Sequence, residues 1–435
     1  MATDNPAPAE TGSGAPDARD ARDATAPGAP CARPQPVGVF PLPAGFLLVP
    51  GGEETATVRR SLAAGMLPTA WPPELAAIEL AYRGDVAGAA ERLRGDDVVT
   101  RYNRFVLDPA GTPAQQLVAL RADLGAELGV LVDVVRFATG ERREPPAPGD
   151  ATGEIAALVC SAQAAHAMAA GRIGDAGRAL AQGIGAAAES APGLAAQLMA
   201  TAAGLRRDVE GPTFAVVTDL TTALAALAST DLAAGRAELH LTLGSVHHEL
   251  AGDDLAGLRT AAENYLAALR LITIDTAPEL FASAQVSLAA AYLAMPMNSA
   301  SDQLRIGVAM QGLRTALTVY TRETHPSEWS STQLNLANAL VHAPSAHRRD
   351  NLVEAAGRYQ EIIATRVGLD SPVSYARVLA SQGNALAQLG ALPQAAAVLQ
   401  EACSIFENSG DDDSVAAVRA VLDEIARHRA LTGST

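Results

Sequence analysis

The feature that most constrains the fold is a phrase that returns three times at a nearly constant interval. Its prolines, Pro278, Pro326 and Pro372, are 48 and 46 residues apart. An aromatic residue follows each proline by three positions and a small residue follows it by eleven. These positions hold Phe281, Trp329 and Tyr375, and then Ala289, Ala337 and Gly383. A fixed interval predicts a repeated supersecondary unit, so we interpret the phrase as architecture and not as an active-site loop.

A second helix is predicted after each phrase, and after an earlier copy over residues 235–250 with Gly244 at the small position, marked by a small residue four positions before a large one. The pairs are Ala261 and Tyr265, Ala309 and Leu313, Ala355 and Tyr359, and Ala395 and Leu399. Small residues at fixed positions let two antiparallel helices approach closely, while the large residue fills the space behind them. One pair leaves an apolar face uncovered, so a stack of pairs is the stable arrangement.

Two residues of the stretch 325–340, a histidine and a tryptophan, are of types common in active sites, but we interpret both as structural. Trp329 shares its position with Phe281 and Tyr375, so we expect it to pack between successive helix pairs. His325 stands before a proline at a turn, and we expect it to be exposed to solvent.

Composition favours helices throughout the chain. Hydrophobic residues make up 49% of the 435 positions but aromatic residues only 4%, and alanine dominates many segments. Alanine is the strongest helix former and has little volume, which favours closely packed helices over a sheet. Few runs show the alternation of Val, Ile and Thr that strands require. The fold class is therefore predicted to be all-α.

Charge and residue usage exclude several classes of protein. The formal net charge is −16, whereas a protein that binds nucleic acid or an anionic membrane needs a cationic surface. All 32 basic residues are arginine, which rules out pyridoxal phosphate on a lysine and a Walker-type phosphate loop. The cysteines Cys31, Cys160 and Cys403 form no disulfide or zinc motif, which fits a reducing cytoplasm. We expect a cytoplasmic protein with no cofactor, no nucleic-acid partner and no membrane segment.

The N-terminal end of the chain has two unusual segments. Residues 1–36 are rich in alanine and proline and lack large apolar side chains, which predicts a disordered tail. Residues 37–52 form an apolar arm that three prolines interrupt. We interpret the arm as packing along the first helices, because an apolar segment left in water promotes aggregation. The alternative is a linear motif that binds another protein.

The rest of the chain is predicted to contain three helical regions. Residues 113–140 predict one long helix, and residues 144–150 predict a linker. The regions are an N-terminal helical subdomain over 53–150, degenerate helical repeats over 151–230 and a repeat array over 231–429.

The repeated units resemble the tetratricopeptide repeat. In that family, a small residue at position 8 of the first helix faces small, large and small residues at positions 20, 24 and 27 of the second. The last unit matches through Gly383, Ala395, Leu399 and Ala402, and an earlier one through Ala164, Ala176, Leu180 and Gly183. The middle units have longer turns and look like the long-unit bacterial variety. The resemblance implies a right-handed α-solenoid of stacked antiparallel helix pairs, with the N-terminal helical subdomain and disordered tail in front.

The resemblance also implies a binding groove on the concave side. It places these candidate binding residues there: Asn338, Asn384, Arg377, Gln388, His342, His248 and Glu249. Chaperone-docking members use asparagines at position nine, here Asn338 and Asn384, to hold a peptide backbone or a terminal carboxylate. The lysine of that clamp is replaced by Leu334 and Ala380, so a complete clamp is not expected. The alternative is that these are ordinary solvated polar residues on a groove wall.

A metal hypothesis for His240, His247 and His248 is disfavoured by their spacing. His240 lies two helical turns, roughly 10 Å, from the other two, too far for one ion. His247 occupies a core position of its repeat. No metal site is therefore predicted.

The leading functional hypothesis is a non-enzymatic scaffold or adaptor that binds a peptide or protein segment in the concave repeat groove. The alternative is an enzyme or small-molecule sensor with a pocket between the N-terminal subdomain and the repeats, using Tyr102, Asn103, Arg104 and His166. A third hypothesis is autoinhibition, with residues 37–49 occupying the groove. The sequence specifies neither the partner nor the oligomeric state.

Overall fold

The computed structural model of the protein describes residues 34–36, 43–296, 300–343 and 347–432. Residues 1–33 of the predicted disordered tail (1–36), with Cys31, lie outside the described residues, as do residues 37–42 of the arm. Residues 35 and 36 of that tail are ordered in a short strand. None of the described helices combines the length and the apolar character that crossing a bilayer requires.

The N-terminal part begins with a short β-ribbon and continues with small helices. Strand β1 (Gln35–Pro36) pairs antiparallel with β2 (Leu48–Val49), and 3-10 turns cover Ala44–Phe46 and Pro73–Leu75. The helices of this part are α1 (Ala56–Ala63), α2 (Ala76–Tyr82), α3 (Val86–Arg92), α4 (Val98–Leu107), α5 (Ala114–Asp123), α6 (Gly125–Leu128) and α7 (Val130–Ala138).

From α8 onward the described chain consists of antiparallel helix pairs in sequence order. The pairs are α8 (Gly153–Ala169) with α9 (Ile173–Ala187), α10 (Pro192–Glu210) with α11 (Phe214–Leu227), α12 (Ala233–Ala251) with α13 (Leu255–Leu271), α14 (Pro278–Ala294) with α15 (Ala300–Ala316), α16 (Pro326–His342) with α17 (Arg348–Thr365), and α18 (Pro372–Gln388) with α19 (Leu392–Ser409). A last helix, α20 (Asp412–Thr432), packs on α19. Each helix contacts the next, so the predicted all-α solenoid is confirmed.

Each repeated proline lies at the start of the first helix of an antiparallel pair, which we call a first helix. Pro278, Pro326 and Pro372 each stand in the first turn of α14, α16 or α18. Proline suits that position, because the amide N–H that it lacks would have no partner within the helix. The repeat interval seen in the sequence is therefore the interval from one first helix to the next.

The close approach within each pair rests on residues without a bulky side chain. A Cβ placed on Gly244 of α12 would lie 2.6 Å from the ring of Tyr265 on α13. A Cβ on Gly383 of α18 would lie 2.5 Å from Leu399 on α19. Both large partners are buried, with 2% and 0% of their surface exposed. The predicted contact between a small and a large residue is confirmed in these two pairs.

The prediction of one helix over residues 113–140 is wrong. The segment folds as α5, α6 and α7, with breaks beside two glycines. Gly125 adopts a φ of +76°, a left-handed conformation that glycine tolerates because it has no Cβ. A Cβ on Gly129 would lie 2.6 Å from the carbonyl oxygen of Arg121. The apolar pattern therefore continues through two breaks in the helix, at positions where a residue with a Cβ would be strained or would clash.

The described residues of the arm lie inside the N-terminal core. Leu47, Leu48 and Val49 are at most 1% exposed and pack with residues of the first helices. The amide of Asn103 on α4 accepts a hydrogen bond from Leu48 N at 2.7 Å and donates one to Leu48 O at 2.9 Å. Asn103 thus satisfies both backbone groups of a buried residue that would otherwise lack partners. Residues 43–49 therefore lie away from the groove that the autoinhibition hypothesis assigns to them.

Trp329 packs between successive pairs, as predicted. It is 6% exposed and belongs to one apolar cluster with Ala282 and Tyr320 from the preceding repeat. The expectation that His325 is exposed is confirmed only in part, because its side chain is 27% exposed. It contacts Glu279 and Tyr320 of the preceding repeat, with Nε2 3.2 Å from a carboxylate oxygen of Glu279.

We predict that Gly244→Ala lowers the free energy of unfolding by about 1–3 kcal/mol, because the new Cβ overpacks against the Tyr265 ring. Gly357→Ala on α17 is the matched control, since a Cβ there meets no atom within 4 Å. The control should stabilise the protein by about 0.5–1 kcal/mol, as alanine costs less backbone entropy than glycine in a helix. Denaturant unfolding of the two variants measures both values, and a stabilised Gly244→Ala protein would contradict the packing described for this pair.

We predict that Asn103→Ala destabilises the protein by about 2–4 kcal/mol, because it leaves two buried backbone groups of Leu48 without partners. Asn408→Ala, at an exposed position of α19, should stay within about 0.5 kcal/mol of the wild type. Thermal and denaturant unfolding provide the comparison. Equal values for the two variants would show that Asn103 does not hold the arm.

Candidate functional site

A cavity of about 510 Å³ lies among the C-terminal helices of the array. Its walls come mainly from the first helices α16 and α18 and from the last helix α20. The polar residues that line it are Asn338, His342, Tyr359, Ser381, Asn384, Gln388, Glu424 and His428, and the apolar ones are Val341, Ala387, Leu392, Val421 and Ile425. The cavity therefore combines several hydrogen-bonding groups with apolar surface, which is the usual character of a ligand site.

Four of the candidate binding residues line this cavity together: Asn338, His342, Asn384 and Gln388. All four are exposed. They come from two consecutive first helices, and Asn338 and Asn384 occupy the same position of their repeats. A ligand in the cavity would therefore meet two amides presented by the same register of neighbouring units.

The other three candidates lie elsewhere. Arg377 is exposed and does not line the cavity. Its charge acts on Asp411, whose pKa is lowered first by hydrogen bonds from Ser414 and further by the arginine.

Glu249 is engaged in a bridge between two first helices. Arg207 on α10 donates to it at 2.7 Å and Ser245 donates at 2.9 Å. Its neighbour His248 is half-buried on the same turn of α12. Neither residue lines the C-terminal cavity.

Tyr359 fixes the orientation of the Asn338 side chain. The Tyr359 hydroxyl donates a hydrogen bond of 2.6 Å to Asn338 Oδ1. Burial raises the pKa of Tyr359, so its hydroxyl stays protonated and remains a donor. This bond uses one of the two lone pairs of the amide oxygen, so Asn338 offers a ligand the two hydrogens of its amide nitrogen and one remaining lone pair.

Arg348 has the same effect on Gln388. Its guanidinium donates a hydrogen bond of 2.7 Å to Gln388 Oε1, which again leaves the amide nitrogen available. The wall formed by α16 and α18 thus presents N–H donors. Such a wall suits a ligand that presents acceptors, such as backbone carbonyls or a carboxylate.

Helix α20 forms the opposite wall, which sequence reasoning missed. Val421, Glu424, Ile425 and His428 line the cavity at positions that share one face of a helix. The only signal in the sequence is the apolar spacing of this helix, whose residues Val418 and Ile425 are 5% and 4% exposed. That spacing predicts a packed helix but does not indicate that the helix borders a site.

A smaller apolar cavity of about 240 Å³ adjoins the first one. It is lined by Leu293, Met295, Ile306 and Ala339, together with Asn338 and His342. The last two residues line both cavities, so the two spaces meet at this point of α16. A ligand held by the amides of the larger cavity would lie next to an apolar pocket.

The residues of the alternative pocket do not converge. Tyr102 is fully buried, and Asn103 is bonded to the arm. Arg104 donates to Gly95 O at 2.8 Å, on the surface of the N-terminal part. His166 lies against the ring of Phe137 and lines a different cavity.

The structure also locates the histidines and cysteines considered above. His240 Nδ1 lies 3.1 Å from Asn264 Oδ1, and burial lowers the pKa of His247. Cys160 and Cys403 are buried and form no disulfide. Across the part of the chain that the structure describes, no group of three or more His, Cys, Asp or Glu side chains is placed to hold a metal ion.

No protein-family model matches the sequence, and no curated protein matches it. Among solved structures, the chain is similar to the apo form of RapI, with 13% identity and a TM-score of 0.43 over 83% of this chain and 98% of that one. It is also similar to a Rap protein complexed with competence and sporulation factor, with 11% identity and a TM-score of 0.40 over 82% and 97% of the two chains. At this sequence identity and TM-score, neither similarity indicates a function.

We predict that Tyr359→Phe lowers the free energy of unfolding by about 0.5–1.5 kcal/mol, because the hydrogen bond to Asn338 is lost. Tyr375→Phe is the matched control. Its hydroxyl lies at the surface, 3.2 Å from Glu401, so its loss should change stability by less than about 0.5 kcal/mol. Denaturant unfolding gives the energies, and NMR of the Asn338 side-chain amide reports its orientation. An unchanged amide signal in Tyr359→Phe would contradict the fixed orientation.

Proposed function

We propose that this protein is a non-enzymatic scaffold or adaptor that binds an extended peptide or protein segment between α16, α18 and α20. The observation that carries the proposal is the shared cavity of Asn338 and Asn384, which occupy one register of consecutive repeats. An extended chain presents its carbonyls at regular intervals, so two amides in register contact it at two points.

The hydrogen-bonding character of the cavity supports a peptide ligand. Tyr359 and Arg348 bond to the amide oxygens of Asn338 and Gln388, which orients both side chains and leaves their amide N–H groups as donors for a ligand. Peptide carbonyls are acceptors and match these donors regardless of the side chains that the ligand carries. The amide wall would therefore supply affinity for a main chain and little discrimination between sequences.

Discrimination would come from the apolar surfaces and from α20. The adjoining pocket of Leu293, Met295 and Ile306 is large enough for an apolar side chain of the bound segment. On the opposite wall, Glu424 is flanked by Val421 and Ile425 and offers an acceptor for an N–H group of the ligand. Buried apolar anchors usually dominate such recognition, whereas exposed polar contacts contribute less.

The proposal is tested by selecting a display library of random linear peptides on the full chain. We expect the wild type to enrich peptides and the double variant Asn338→Ala, Asn384→Ala to bind the selected peptides at least about tenfold more weakly, from the loss of two hydrogen bonds. The control is Asn335→Ala, Asn408→Ala, which removes two amides that do not line the cavity. Failure of the wild type to enrich any peptide, or equal affinity in both double variants, would overturn the proposal.

Arg377→Ala separates this site from a longer groove. Because Arg377 does not line the cavity, we expect the affinity of the selected peptides to remain unchanged. A loss comparable to that of the asparagine variant would extend the binding surface along α18 toward its first turn.

A further inference from the structure

A separate cavity of about 460 Å³ lies in the earlier half of the array, between the first helices α10 and α12. Its lining residues come from α8, α10, α11 and α12, and it shares none of them with the proposed peptide site. The two cavities are therefore independent places on the same series of first helices.

The floor of this cavity is apolar and its walls are open. Leu220, Leu227 and Leu239 form the floor and are at most 5% exposed. Gly204 on α10 and Gly235 on α12 stand on facing walls, and a Cβ on either would meet no atom within 4 Å. No side chain fills the space beside these two glycines, and an aliphatic chain would bury its surface against the leucines.

The rim carries negative charge that no described residue neutralises. Asp208 on α10 and Glu238 on α12 both line the cavity and are exposed. Other acidic residues nearby are paired, since Asp219 and Glu210 bind Arg206 at 2.7 and 3.1 Å. Asp208 and Glu238 take part in no such ion pair among the described residues, and no arginine lines the cavity.

The hydroxyl groups at the rim have already used their hydrogens. Thr201 Oγ1 donates to the carbonyl of Gln197 at 3.1 Å, and Thr242 Oγ1 donates to the carbonyl of Glu238 at 3.0 Å. Each hydroxyl therefore offers only its lone pairs to a ligand. The rim presents two carboxylates and two hydroxyl acceptors, against the single donor group of Gln197, so it suits a ligand rich in N–H donors.

We propose that this cavity binds an organic cation, an ammonium or guanidinium group on an aliphatic chain. The charged head would lie between Asp208 and Glu238, and the chain would lie over the leucine floor. A lysine or arginine side chain of a partner and a free alkylamine share this chemistry. A metal ion fits less well, because two carboxylates are too few ligands for tight binding and the apolar floor offers none.

The test is titration calorimetry of the full chain with pentylammonium and pentylguanidinium as probes. Pentanol has the same aliphatic chain without the charge, and methylammonium has the charge without the chain. We expect both pentyl cations to bind, and pentanol and methylammonium to bind at least about tenfold more weakly, since each lacks one of the two contacts. A tripeptide with blocked ends and a central lysine distinguishes the two sources. If it binds as well as pentylammonium, the site accepts a peptide side chain; if only the free cations bind, it is a small-molecule site.

Two substitution experiments locate the site. Asp208→Asn, Glu238→Gln should lower cation affinity at least tenfold, whereas the control Asp275→Asn, Glu263→Gln removes two charges away from the cavity and should not. Gly204→Leu fills the open space while replacing a helical glycine, so the variant should fold with undiminished stability and lose binding.

Three results would overturn the proposal. They are absence of binding by both pentyl cations, equal binding of pentanol, and unchanged affinity in the Asp208→Asn, Glu238→Gln variant. None of these results affects the peptide site, because Asn338→Ala, Asn384→Ala should bind the cations with wild-type affinity.

Discussion

The whole array depends on how closely the two helices of each pair approach. That distance is set where a residue without a side chain faces a large buried one, as Gly244 faces Tyr265 and Gly383 faces Leu399. The contact satisfies two requirements at once, because the small residue admits the neighbouring helix and the large one leaves no void. Asn338 and Asn384 each follow the small residue of their first helix, Ala337 and Gly383, and they line one cavity.

The repeat itself could be predicted from sequence because its contacts are local. A small residue and its large partner lie about twenty residues apart, and their spacing recurs in each unit, so the pattern is visible without a structure. The same register put Asn338, His342, Asn384 and Gln388, which line one cavity, in one group with three residues that do not line it. Arg377 lies on α18, the same helix as Asn384, but two turns before it. The register alone does not show where along the helix the cavity ends.

Other features could not be predicted because they depend on contacts between distant segments or on single bonds. The break of α5 from α6 and α7 arises at glycines inside a continuous apolar pattern. Helix α20 borders the cavity only because it folds back on α19. The hydrogen-bonding character of both cavities depends on which groups are already occupied, as with the oxygen of Asn338 and the hydroxyl hydrogen of Thr242. As a result, the α16–α18 wall of the C-terminal cavity is rich in N–H donors, whereas the rim of the other cavity is rich in acceptors.

The bond between Asn103 and Leu48 also has a consequence for the order of events during synthesis. It joins residues 55 positions apart, whereas each pair of the array forms from neighbours in sequence. The arm leaves the ribosome before α4, so the backbone of Leu48 has no side-chain amide to bond with until Asn103 has followed. During that interval its leucines and valine stay in contact with water, and exposed apolar surface of this kind promotes association with other chains. The burial of the arm therefore depends on a helix that is made 55 positions later, whereas each pair of the array buries its apolar surface against its neighbour in sequence.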